Sequence, residues 1–248
     1  MATLSICVVT KNEEHNIESC LQSVAWADEI IVIDSVSTDR TVELCRKYTD
    51  KVYIFPWKGC GPQKQQVYEL ATQDWVLMLD ADERLTPELQ QEIQEILKYS
   101  RYDAYEIPFQ SYYCNKAIRF GDWMHEKHLR LVKRSKGSVV PRLVHFRIEV
   151  SGSVGKLRHK ILHYSFPLLD VVIDKMNRYS TDGALHKLSQ GKKTSIWQAL
   201  GHGIFAFVRG YILRFGFLDG REGFMLAVSN AEGTYYRYLK MLYVPRSG

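Results

Sequence analysis

Residues 75–83, Trp75-Val-Leu-Met-Leu-Asp-Ala-Asp-Glu83, pass without a break from an apolar run to a cluster of carboxylates. Trp75 to Leu79 reads as a buried strand and the acidic cluster as the turn after it. Two carboxylates at i and i+2, here Asp80 and Asp82 on either side of Ala81, can face one divalent cation from one side of such a turn. Hard cations such as Mg²⁺ or Mn²⁺ prefer oxygen ligands, and Mg²⁺ is usually held by one or two carboxylates plus substrate phosphates. Two readings stand at this point. One is a solvated acidic turn. The other is a cation site that bridges the protein and a nucleotide diphosphate.

The amino-terminal residues favour the second reading. Leu4-Ser-Ile-Cys-Val-Val9 is a short apolar strand that ends in the polar run Thr10-Lys-Asn-Glu-Glu14. Ile17, Cys20, Leu21 and Val24 then recur at helical spacing. Glu29 to Ile33 predicts a second strand ending at Asp34-Ser-Val-Ser-Thr-Asp39, and Thr41, Val42, Leu44 and Cys45 open another helix. Lys51 to Phe55 predicts a third strand, and helix-period residues from Gln66 to Leu70 lead into the strand at Trp75. Strands alternating with helices of this length predict an α/β fold, a mostly parallel sheet with helices on both faces. In such sheets ligands bind beyond the carboxyl ends of the strands. The polar clusters at Thr10, Asp34 and Asp80 all fall at such ends, so three separate loops converge on one rim.

The segments "SICVVTKNEE" (5–14), "IIVIDSVSTDRT" (30–41) and "DADE" (80–83) resemble, in order and spacing, the inverting family 2 glycosyltransferases of the GT-A, Rossmann-like fold. A narrower resemblance runs through nearly the whole chain. "SVAWADEIIVIDS" (23–35), "LTPEL" (85–89), "LRLVKR" (129–134), "VGKLRHKILHYSF" (154–166), "KMNRYS" (175–180) and "RFGFLDGREGFMLA" (214–227) are similar to bacterial lipopolysaccharide inner-core β-glucosyltransferases. The amino-terminal motifs are shared by very many glycosyltransferases, whereas the carboxy-terminal ones are more specific to this subgroup. The resemblance implies a GT-A domain over residues 1–165 and a helical, membrane-associating extension over 166–248. It implies a metal-dependent hexosyltransferase that moves glucose from UDP-glucose to a lipopolysaccharide-core or related surface glycan. Two alternatives remain open: a related transferase acting on a peptide or a lipid phosphate, and a nucleotide-sugar-binding module without catalysis.

The resemblance also implies roles for single residues. Asp82 would be the direct ligand of Mg²⁺ or Mn²⁺, Asp80 would lie nearer the ribose, and His163 in "ILHYSF" would supply a third ligand. A core histidine at a strand end is the other reading of His163. Thr10, Asn12 and Glu13 would approach the base and ribose, and Asp34 would bond the uracil. Ser37 and Asp39 would shape the turn and cap the next helix. Lys64, in a loop at 59–64, reads either as a diphosphate contact or as an exposed lysine. The donor site further includes Ala81, Gly121 and Asp122, the last two in an "FGDW" loop where Trp123 offers a face to a sugar ring. For the base that takes the acceptor proton, the resemblance points to Glu126 before "LRL". The ordinary alternative is a surface ion pair with Lys127 and Arg130. The subgroup shows a His-Glu pair in a later loop. This chain has Val144-His145-Phe146 there, which leaves Glu149 as a substitute base.

Composition limits the remaining readings. An apolar content of 46% over 248 residues supports a sizeable core. No uncharged apolar stretch approaches the about 20 residues that a spanning helix needs. Met1-Ala-Thr leads into a strand without a basic region, which predicts no signal peptide. The five cysteines form no C-x-x-C pair and read as reduced thiols of a cytoplasmic protein. The net charge is +5, with cations concentrated between Lys127 and Lys160. The aromatic and acidic loops around that cluster argue for an anionic lipid surface or a phosphorylated glycolipid rather than nucleic acid. From Trp197 to Phe217, six aromatics and two arginines alternate with glycines, which predicts an imperfect helix broken near Gly216 to Gly220. It reads equally as a helix packed on the catalytic domain and as a helix in a membrane interface, docked on an anionic leaflet beside the basic residues Lys133 to Lys136.

Overall fold

A computed structural model describes residues 1–140 and 147–243. The chain forms two compact units, Met1–Phe109 with Glu126–His163, and Gln110–His125 with Tyr164–Gly248. The first unit opens with β1 (Leu4–Thr10), α1 (Ile17–Gln22), β2 (Glu29–Asp34), α2 (Thr41–Cys45), β3 (Val52–Ile54), α3 (Cys60–Leu70) and β4 (Trp75–Asp80). The four strands are parallel in the order β3-β2-β1-β4. β1, β2 and β4 are buried almost along their whole length, which is why they are continuous apolar runs without polar alternation. Successive side chains point to opposite faces. Ile6 and Val8 enter one core with Ile17, Leu21 and Leu44, and Cys7 enters the other with Ile31, Val67 and Met78.

The chain continues through β5 (Glu83–Leu85), α4 (Pro87–Lys98), β6 (Ala104–Tyr113), β7 (Lys116–Ala117), β8 (Lys127–Lys133), β9 (Gly137–Val140), β10 (Arg147–Val150), β11 (Val154–Lys156) and β12 (Ile161–Phe166). Here the sheet changes sense. β8 pairs antiparallel with both β4 and β6, while β11 runs parallel to β6, so the sheet is parallel at its amino-terminal half and mixed beyond β4. β12 runs antiparallel to β5 and sets His163 opposite Glu83. α4 begins at a Thr86 cap, with Pro87 in its first turn, and buries Leu89, Ile93 and Leu97.

In the second unit, α5 (Leu169–Ser189), α6 (Ile196–Phe207) and α7 (Gly220–Tyr243) pack together, with a small core of Tyr113, Ile118, Val172 and Leu226. Lys240 on α7 ties itself to α5 by donating to the Asn177 carbonyl and to the Ser180 and Thr181 hydroxyls. α6 ends in a π-helical turn at Val208–Leu213, and regular helix resumes only at Gly220, so the break falls where the glycines predict it. No described helix is long and apolar enough to cross a membrane.

Glu29 fixes the foot of β2 from inside the fold. Burial pushes its carboxyl up, but donors from Lys51, Ser5 and Thr72 together outweigh burial and hold it at about 2, against an ordinary 4.5. A depressed folded-state value stabilises the fold above pH 4.5, and the contribution disappears as the pH falls towards 2. We expect Glu29→Gln to cost at most about 3 kcal/mol at pH 7. It should also flatten the loss of stability between pH 4.5 and 2, as read from urea unfolding across that range.

Candidate active site

The rim is built by strand register. Thr10 lies opposite Asp34, and Val9 opposite Asp80, so the loops after β1, β2 and β4 leave one sheet edge side by side. Thr10 is buried, and its hydroxyl finds no hydrogen-bond partner among the described residues. Asn12 adopts a positive φ of 52°. Its N–H donates to the Ser37 hydroxyl at 2.8 Å, and its side-chain oxygen accepts from the Thr38 N–H at 2.8 Å. These bonds clamp the first loop to the second. Glu13 accepts from Asn16 at the start of α1. Asp34 is buried and accepts both the N–H and the hydroxyl of Ser37, an Asx-type turn of its own. Asp39 accepts from the N–H and hydroxyl of Thr41 where α2 begins, so Ser37 and Asp39 do the turn-shaping work that their residue types predict.

The centre of the rim is an ion network. Lys64 neither stands exposed nor sits in a loop. α3 already starts at Cys60, because Pro62 is tolerated in a first turn that lacks helical N–H partners. Its buried ammonium donates to the Leu79 carbonyl at 2.6 Å and pairs with Asp80 at 2.5 Å. Arg130 on β8, also buried, donates to Asp80 at 3.0 Å and to Glu83 at 2.6 Å. Glu83 also accepts the Asp80 N–H at 2.9 Å. Burial acts to raise Asp80, but Lys64 and Arg130 outweigh it and hold this carboxyl well below the usual range. Burial wins at Glu83 and raises it above the ordinary carboxylate range, with the Arg130 charge opposing. Asp80, expected to face a cation together with Asp82, therefore already carries two organic cations. Ala81 lies in the core and offers the rim only its backbone.

Asp82 faces a different neighbour. The Nε2 of His163 stands 3.5 Å from its carboxylate. Burial works against a charged His163, but Asp82 outweighs it and raises the imidazole to about 9. The buried Nδ1 of His163 has no partner among the described residues. No group of three or more His, Cys, Asp or Glu among the described residues forms a ready metal cage. The oxygen of Asp82 and the imidazole nitrogen of His163 still make a two-donor set. Such a set fits a cation that completes its shell with diphosphate oxygens, once the imidazole proton is displaced.

Phe109 on β6 links this pair to the candidate base. His163 and His128 both stand edge-on to its ring, at centroid distances of 5.9 and 4.9 Å. Arg130 lies over the same ring at 5.3 Å. His128 in turn contacts the Glu126 carboxylate at 3.1 Å, and the Glu126 side chain is 27% exposed. The partners expected for an ordinary surface pair go elsewhere: Lys127 pairs with Glu106, and Arg130 is held by Asp80 and Glu83. Lys133 pairs with Asp103, whereas Arg134 and Lys136 further along the basic run are exposed. Glu149 is exposed on the two-stranded ribbon of β9 and β10. Val144, His145 and Phe146 lie outside the described residues.

Gly121 and Asp122 belong to the second unit. Gly121 has a φ of +73°, which a side chain would strain. Asp122 accepts two bonds from Arg209, at 3.0 and 2.9 Å, and one from Arg214 at 2.8 Å. The Trp123 ring packs on Phe166, with centroids 5.3 Å apart. Sequence reasoning missed Glu83 and Arg130. A charged residue between Leu129 and Leu131 in a buried strand was the available signal, since charges are almost never fully buried unless paired.

The family model described as Glycosyl transferase family 2 matches residues 5–151. The chain belongs to that family, and its α/β first unit carries the GT-A sheet. A glycosyltransferase of Rickettsia typhi (strain ATCC VR-144 / Wilmington) is 32% identical over 97% of this chain and 87% of its own length. The lipopolysaccharide core biosynthesis glycosyltransferase LpsC of Rhizobium meliloti (strain 1021) is 30% identical over 95% of this chain and 89% of its own. A crystal structure of S. aureus TarS 1-349 aligns with 99% of this chain and 93% of that chain at 13% identity and a TM-score of 0.49, a loose likeness.

The network makes a stability prediction. Arg130→Met leaves two adjoining carboxylates with Lys64 alone and should cost about 3–5 kcal/mol, the usual penalty for breaking a buried pair. Adding Glu83→Gln should recover part of that loss. Chemical denaturation of the two variants checks the coupling.

Proposed function

We propose that the chain is an inverting, metal-dependent hexosyltransferase. It takes glucose from UDP-glucose and delivers it to a lipopolysaccharide-core or related surface glycan, at the cytoplasmic face of a membrane. The observation that carries this reading is the convergence of the β1, β2 and β4 loops on one sheet edge, with the Asp82–His163 pair beside it. LpsC, by its name a lipopolysaccharide core enzyme and similar along nearly the whole chain, supports the acceptor class.

Thr10, Asn12, Glu13 and Asp34 bind uracil and ribose from the first two loops. The orphaned Thr10 hydroxyl is a polar atom that a nucleotide satisfies. Asp80, held by Lys64 and Arg130, keeps the D-A-D turn rigid and faces the ribose. Asp82 and His163 would hold Mg²⁺ or Mn²⁺, which when bound stabilises the charge on a departing diphosphate. Glu126 acts as the base. Its carboxylate takes the proton of the acceptor hydroxyl as the new glycosidic C–O bond forms, and the old C–O bond leaves with its electron pair on UDP. His128 orients that carboxylate.

Two variants test the assignment. Glu126→Gln should keep UDP affinity but lose transfer by roughly 10²-fold or more, while Glu149→Gln changes it little. Asp82→Ala should fold normally and lose divalent-dependent release of UDP from UDP-glucose. A reversal between Glu126 and Glu149 would move the base to the later loop.

A further inference from the structure

α6 is packed inside out. Its buried residues are the small ones, Ala199, Gly203 and Ala206, followed by Gly210 in the π-helical turn. This seam faces α7 so closely that a Cβ on Gly203 would lie 3.1 Å from the Cβ of Tyr235. The large side chains point the other way. Trp197 is 78% exposed and Ile204 65%, with Ile196, Leu200 and Phe205 beside them. A helix on a water-soluble unit normally turns its large apolar residues inward. Small residues at the helix–helix seam with large apolars outward is the pattern of helices solvated by lipid.

The exposed apolar surface continues past the helix through Ile212, Leu213, Phe215, Phe217 and Leu218. This turn is rigidly built. Phe215 holds a φ of +58°, unusual for an aromatic residue. A Cβ on Gly216 would lie 2.6 Å from the Gly210 carbonyl, and one on Gly223 only 2.0 Å from the Gly216 carbonyl. Asp219 is buried and caps the Arg119 and Phe120 N–H groups at 3.0 and 2.8 Å. The chain here adopts a strained, glycine-dependent conformation that leaves aromatics in water.

Charge selects the occupant. Of the five cations between Lys192 and Arg221, Arg209 and Arg214 pair with Asp122 and Arg221 with Glu222, which leaves Lys192 and Lys193. Lys192 and Lys193 are exposed immediately before α6 and have no ion-pair partner among the described residues. A 12-residue apolar helix is too short to span a bilayer but long enough to lie in its interface. We infer that α6 and the turn at 212–218 insert in-plane into an anionic lipid leaflet, with Lys192 and Lys193 at the headgroups. This makes specific the membrane-surface reading proposed above, yet it stands on the helical unit alone.

The test uses the full chain, vesicles of phosphatidylcholine with or without phosphatidylglycerol, and the double variant Trp197→Ser/Ile204→Ser. Both residues are exposed, so the variant should keep its circular dichroism and its release of UDP from UDP-glucose. The wild type should sediment with anionic vesicles at low salt and lose most of that binding at high salt, and the double variant should bind roughly tenfold or more weakly. Equal recovery of wild type and variant, or equal binding to neutral and anionic vesicles, would overturn the inference. So would a wild-type dimer in light scattering that the double variant dissolves, because the face would then be covered by a second copy. Vesicle binding without any UDP release would count against the transferase reading and leave the docking face intact.

Discussion

The Asp80 carboxylate, clamped between Lys64 and Arg130 at the end of β4, is the constraint on which the rim depends. Three elements meet there. α3 supplies the lysine, β8 the arginine, and β4 the aspartate. The two cations are almost fully buried, and a buried charge is costly unless its partner is in place. The network therefore fixes the register of helix, parallel strand and antiparallel strand at one point. It also separates the two aspartates of the D-A-D turn. Asp80 is neutralised from inside the protein, and Asp82 remains for His163 and whatever the rim binds.

The same logic gives Phe109 its place. One ring is flanked edge-on by His163 and His128 and lies under Arg130. A single apolar side chain thus stands between His163, the neighbour of Asp82, and His128, the neighbour of Glu126. The helical unit follows a different rule. Its α6 buries glycine and alanine and exposes tryptophan, isoleucine and phenylalanine, the pattern on which the proposed lipid contact rests.

The parallel half of the fold was legible because its strands are buried on both faces and read as unbroken apolar runs ending in polar loops. The turn before α2 and the break near Gly216 were legible from turn chemistry. Lys64 was not, since Gly59, Gly61 and Pro62 read as a loop, while the structure starts α3 at Cys60 and drives the lysine inward. Arg130 and Glu83 were hidden for a related reason. Their pairing is between residues 47 apart, and nothing local marks it. The antiparallel half escaped too, because β6 alternates buried and half-buried residues without a helix to punctuate it. The aromatic stretch was visible in sequence, but which of its residues face outward needed the helix and its neighbour.

The account turns on Asp82 and His163 acting together at the rim, and pulsed electron paramagnetic resonance on the protein with Mn²⁺ and UDP addresses that directly. Wild type should show the hyperfine coupling of one directly bound imidazole nitrogen, and His163→Gln should lose that coupling while the protein stays folded. Mn²⁺ and UDP bound with no nitrogen coupling in the wild type, or with a coupling that survives in His163→Gln, would contradict it.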